Sequence, residues 1–166
     1  MRFVDFLRVT VLLSGAAASL LAVVCVAGAT NIDEADLVLG IAGWWVLAAA
    51  FGLWLGRRAA TNPPITKLLA DAKAATMMPE HRPGFTVVNR LWPLLLLTLA
   101  AGGVAFLAPQ IPGIAAGFTI IWALAWRRQD AAVTAIEDRD GFRFYVDRTP
   151  PLQPIRLLRT PGLMAG

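Results

Sequence analysis

Long stretches of this chain carry no charge. Asp, Glu, Lys, Arg and His are all missing from residues 9–29, 37–55, 91–108 and 111–126. Pumps, proton-coupled carriers and voltage sensors need an ionisable group at membrane depth, so this silence counts against all three. Cysteine occurs once, at Cys25. One thiol excludes an intramolecular disulfide, and with no cation beside it Cys25 reads as a small packing residue rather than a nucleophile. Histidine also occurs once, at His81. Together with Met77, Met78 and Glu80 it supplies too few ligands for a copper or zinc site. Phosphate loops, dinucleotide fingerprints and metal-binding helix motifs do not occur. Glu137, Asp138 and Asp140 form a dense acidic group before Gly141 and read as a solvated turn. No catalytic residue, cofactor or metal is therefore expected.

What remains is apolar. Hydrophobic residues make up 57% of the 166 and charged ones only 16%, against about 25% charged in a soluble domain. The excess falls in the four charge-free runs. At about 1.5 Å per residue, the first three reach roughly 27–31 Å, enough for a hydrocarbon core of about 30 Å. The fourth is shorter, and snorkelling by Arg127 and Arg128 extends its reach. Lipid offers the backbone no partner, so each run must be helical. Short polar connections at 31–36 and 109–113 predict two antiparallel hairpins, first run with second and third with fourth. The expected fold is an all-α membrane protein, a four-transmembrane-helix bundle over 1–126, followed by a cytoplasmic tail over 127–166.

Orientation follows from charge. All fifteen Lys and Arg lie at the amino end, in the loop at 56–90, or after Trp126. The connection at 31–36 holds Asp33, Glu34 and Asp36 and no cation. The positive-inside rule then puts both termini and the 56–90 loop in the cytoplasm of a multi-pass cell-membrane protein. The net charge of +4 is thus a difference between two faces, which argues against nucleic acid as a partner. An alternative is signal-peptide cleavage after Ala29, which would remove the first run.

Inside the spans, Ser14, Ser19, Thr98 and Thr119 are the main polar side chains, expected to stitch helices together. Small residues four apart recur at Gly15 and Ser19, Gly52 and Gly56, and Gly113 and Gly117, which predicts close helix packing. Trp44 and Trp45 lie deep and read as a helix contact or a ligand cavity. The two halves echo each other weakly, around Gly40 and Gly113 and around Trp54 and Trp126.

Outside the spans, Asn62, Pro63 and Pro64 start a helix in which Ile65, Leu68, Leu69, Ala72 and Ala75 share a face until Pro79. It is expected to lie on the inner leaflet or to pack on the bundle. In the tail, 131–136 continue a helix, and Asp140-Gly141 signals a hairpin turn. Residues 141–146 favour a strand, with 133–138 as its hairpin partner. Phe142, Phe144 and Val146 share one face. Prolines at 150, 151 and 154 favour an extended segment, either docked in a groove or disordered near anionic lipid. The candidate contact residues, for a partner or for the membrane surface, are Phe142, Phe144, Tyr145, Arg156 and Arg159.

The contrast of inert spans with an elaborated inner face points to a non-enzymatic accessory or scaffold subunit acting through the loop and tail. Its partners are the lipid bilayer and a membrane protein or further copies of itself. The alternative is a small oligomeric passive transporter or channel. A membrane-surface enzyme using Glu80, His81 or Asp138 is a more distant reading.

Overall fold

The computed structural model describes residues 1–30, 35–57, 60–75, 83–105, 107–147, 149–150 and 153–161. The sequence expectations for 31–34, for the cluster at 77–81 and for Pro151 fall outside them. The helices are α1 (Phe3–Thr30), α2 (Ala35–Leu55), α3 (Pro63–Ala70), α4 (Pro83–Val104), α5 (Gln110–Trp126) and α6 (Gln129–Asp140). Strands β1 (Lys73–Ala74), β2 (Phe142–Val146) and β3 (Leu157–Pro161) form one sheet in the order β1-β3-β2.

Among the described residues, three helices are long and apolar enough to cross a membrane, over Phe3–Ala29, Asp36–Leu55 and Gly84–Gly103. They turn large apolar side chains outward, including Leu12, Leu39, Leu47, Leu97 and Leu99. Water would penalise so much contiguous apolar surface, whereas lipid does not. At 17 residues, α5 rises about 25 Å, short of the hydrocarbon thickness of about 30 Å.

Helix ends do not follow the charge-free runs. α1 starts at Phe3 and takes in Asp5 and Arg8. α4 starts at Pro83, where the sequence predicted loop up to Arg90, and stops at Val104 instead of 108. Hydropathy records what lipid tolerates, whereas a helix continues wherever its backbone bonds close and its polar side chains find partners. In the other direction, α3 ends at Ala70, so Ala72 and Ala75 are not helical as expected. The Asp71 and Ala72 N–H groups still donate to Lys67 and Leu69, and then the chain extends into β1.

The chain divides into two compact units. One comprises Thr10–Arg57 and Leu91–Arg127. Its main helix pair is α2 with α5, not the sequential pairing that short connections predicted. Ile41 meets Gly113, Trp44 meets Gly117, and Gly52 and Gly56 meet Leu124, so the two helices run parallel. A Cβ on Gly52 would lie 2.9 Å from Leu124 Cβ and 3.0 Å from Ile121 Cα. A Cβ on Gly117 would strike the Trp44 indole. Bare backbone at these positions is what lets the helices touch.

Indoles bridge this pair. Trp45 Nε1 donates to the Gly113 carbonyl at 2.8 Å and Trp44 Nε1 to the Ile114 carbonyl at 3.3 Å. The hydroxyls expected to stitch helices serve their own helices. Ser14 donates to Thr10, Ser19 to Gly15, Thr98 to Leu94 and Thr119 to Ala116. A hydroxyl one turn below its acceptor is satisfied locally.

The second unit comprises Met1–Val9, Arg58–Arg90 and Arg128–Gly166. β3 is its central strand, parallel to β1 and antiparallel to β2, with Phe144 opposite Arg159 and Tyr145 opposite Leu158. The strand over 142–146 is where its aromatic and β-branched residues predicted. Its expected hairpin partner, 133–138, is helical instead. Asp140-Gly141 ends that helix rather than turning a hairpin. Gly141 sits at φ 69° and its N–H returns to the Glu137 carbonyl, a left-handed helix cap. Residues 157–161 are ordered in the sheet, against the reading of a disordered tail.

Candidate functional site

The second unit holds every sequence-predicted contact residue, and a carboxylate organises it. Glu137 occupies the last turn of α6 and its side chain has no exposed surface. Its Oε2 accepts from Arg2 at 2.8 Å and from Arg143 at 3.1 Å. Its Oε1 accepts from the Phe144 N–H at 2.9 Å. The expected solvated turn is therefore wrong for Glu137. A buried carboxylate needs cations and donors, and here two guanidiniums and a strand amide supply them. Arg143 also reaches Asp138 at 3.0 Å. The hydrogen bond to Glu137 is the first cause that raises the Arg143 pKa. Beside it, the Arg139 hydrogen bond holds the Asp140 carboxyl below its ordinary range.

Arg2 reaches this carboxylate because the amino end lies along the sheet. The Val146 N–H donates to the Met1 carbonyl, and Arg2 bridges Tyr145. Phe3, Val4, Phe6 and Leu7 are buried, and Arg8 bonds Asp130 at 2.9 Å. From the loop, the Asn62 N–H donates to the buried Gln129 side chain at 2.9 Å. That bond satisfies the residue preceding α3, while Pro63 and Pro64 bring no N–H to that helix's first turn. α4 joins in through Arg90, which bonds Thr149 and donates to the Gln153 carbonyl at 2.5 Å.

Phe144 and Tyr145 are buried, as is Val146. The strand is thus covered on both sides, where its pattern predicted one covered face. Phe142 is half-buried, with the Arg159 guanidinium 4.5 Å above its ring. Arg156 and Arg159 are exposed. Of the five candidates, Phe142 and Arg159 are brought together, Arg156 stands three residues before Arg159, and Phe144 and Tyr145 serve the core.

Arg156 also borders a groove of about 750 Å³ between α3 and residues 154–158. Lys67, Lys73 and Arg156 line it, with Asp71 and Asp147, over Leu68, Ile155 and Leu158. Sequence reasoning missed both the groove and the Glu137 cluster. Lys67, Leu68 and Asp71 at i, i+1 and i+4 gave a partial signal for the groove; nothing in the sequence linked Arg2 to Glu137. Among the described residues, no three His, Cys, Asp or Glu side chains converge as a metal site. No family model matches the chain, and no curated protein or solved structure matches it either.

Proposed function

We propose that this chain is a multi-pass protein of the cell membrane that acts as a non-enzymatic accessory subunit. Four helices cross the bilayer, and both ends and the 56–90 loop face the cytoplasm. There they build one folded surface for a membrane-protein partner. The observation that carries this reading is the assembly of the amino end, the loop and the tail into one unit, tied by the Arg2–Glu137 ion pair and the Asn62–Gln129 bond. A passive pore has no need of such a structure outside the bilayer. Support for α5 as the fourth span comes from its parallel packing along α2, which is itself apolar enough to cross. Clustering of Lys and Arg outside the apolar runs supports the orientation. The exposed Arg159, stacked on Phe142, is the contact proposed for the partner.

A photoreactive side chain at Gln153 or Arg156, activated in native membranes, tests this. One discrete adduct with another membrane protein is expected, and it should disappear in a Phe142→Glu/Arg159→Glu variant that still folds. Absence of any adduct, together with solute flux by the purified chain in liposomes, would replace the accessory role with a passive transporter.

A further inference from the structure

The groove between α3 and residues 154–158 concentrates positive charge. Arg2, Arg8, Arg139 and Arg143 each have a carboxylate partner. Lys67, Lys73 and Arg156 have none among the described residues, yet all three line the same groove. They come from different elements, α3, β1 and the stretch leading into β3. Beneath them the lining is apolar, through Leu68, Ile155 and Leu158. The volume of about 750 Å³ lies within the range of about 300–1,000 Å³ typical of small-ligand sites.

We propose that this groove binds the headgroup of an anionic phospholipid that carries hydroxyls beside its phosphate, as phosphatidylglycerol does. Three cations against two carboxylates favour one net negative charge. The phosphodiester meets Lys67, Lys73 and Arg156. Asp71 accepts from a headgroup hydroxyl, and the apolar floor takes the start of the acyl chains. A polyanionic headgroup would meet the groove's two carboxylates unfavourably. A choline headgroup has no donor for Asp71, and among the described residues no aromatic side chain lines the groove to hold a quaternary ammonium. A small soluble phosphate would leave the apolar floor unused. This inference rests on the membrane reading above.

Native mass spectrometry of the full chain in delipidated micelles supplies the test, with phosphatidylglycerol, phosphatidylethanolamine and phosphatidylcholine added separately. Preferential retention of phosphatidylglycerol is expected. The Lys67→Gln/Lys73→Gln/Arg156→Gln variant should lose affinity on the order of 100-fold, at about 1 kcal/mol per cation. Arg139→Gln, whose guanidinium pairs with Asp140 outside the groove, should leave retention unchanged. If the triple variant melts early, Arg156→Gln alone carries the test, with a loss of about five-fold. Equal retention of the three lipids, or unchanged retention by a folded variant, overturns the proposal. Binding of free glycerol 1-phosphate as tight as that of the lipid would move the source from membrane to solution and overturn it as well. Alkaline extraction of native membranes checks the underlying reading separately, because release of the chain would sink that reading whatever the lipid data show.

Discussion

Glu137 is the side chain on which the amino end, α6 and β2 converge. Its carboxylate is removed from water, while Arg2 and Arg143 keep about a third of their side-chain surface exposed. Losing the carboxylate lets the exposed parts of both guanidiniums recover water, although Arg2 Nε is already buried without a partner among the described residues. What Glu137→Ala forfeits is the Phe144 N–H acceptor and one of two ties between the amino end and α6, the Arg8–Asp130 pair remaining. Breaking a buried ion pair costs about 3–5 kcal/mol, and partial resolvation of the arginines puts this variant near the lower figure. Arg2→Gln should cost less, about 1.5–2 kcal/mol, because Arg143 and the strand amide still hold the carboxylate. All six tryptophans lie in Thr10–Arg57 or Leu91–Arg127, so intrinsic fluorescence does not report on this unit. Limited proteolysis within 128–161 does. Rapid cleavage in Glu137→Ala and intermediate cleavage in Arg2→Gln are expected, and a wild-type pattern in both would show that the cluster does not hold the unit together.

Among the elements, what the sequence disclosed and what it hid separate along physical lines. Apolar runs announced α1, α2 and α4 because lipid-facing surface must be continuous in sequence. The β2 strand was legible from Phe142, Phe144 and Val146, whereas α6 was only half legible, because 131–136 read as helix while 133–138 also read as a strand partner. Pairing was not legible. β2 joins β3 across residues 147–156 and β1 joins from far upstream, and such partners are chosen by tertiary contact rather than by neighbouring residues. Small-residue spacing was an unequal guide. Gly52, Gly56, Gly113 and Gly117 sit in the α2–α5 contact, whereas a Cβ on Gly15 would meet nothing within 4 Å. That difference is measurable. Gly117→Ala should destabilise the helix pair by about 1–3 kcal/mol, because the added methyl displaces the Trp44 indole from its bond to Ile114. Gly15→Ala should be neutral or slightly stabilising, since Ala is the better helix former by about 1 kcal/mol. Steric-trap unfolding in bicelles ranks the two, and equal destabilisation would mean that the α2–α5 approach is not what the glycines serve.

For the molecule entire, connectivity constrains topology more tightly than hydropathy does. Segments around Arg2, Asn62 and Glu137 belong to one compact unit, joined by the Arg2–Glu137 and Asn62–Gln129 bonds. If this unit lies on one side of a bilayer, as proposed, the chain between any two of its segments crosses an even number of times. If α1 crosses, α2 must return, and if α4 crosses, α5 must return despite its 17 residues. Parity thus argues for the fourth span independently of charge, and charge argues separately for which side is which. The same constraint opposes cleavage after Ala29, which would take Arg2 and the buried Phe3 and Leu7 away from the unit they complete. Single cysteines in a Cys25→Ala background separate these claims. Lys67→Cys and Gln153→Cys should react with an impermeant maleimide only after the membrane is opened. Asp36→Cys, at the start of α2, and Leu107→Cys, just beyond α4, should react in intact cells. Reversal of all four would invert the orientation yet leave parity standing. Labelling of Lys67→Cys and Gln153→Cys from opposite sides would break parity itself, because no unit containing both residues survives on either face.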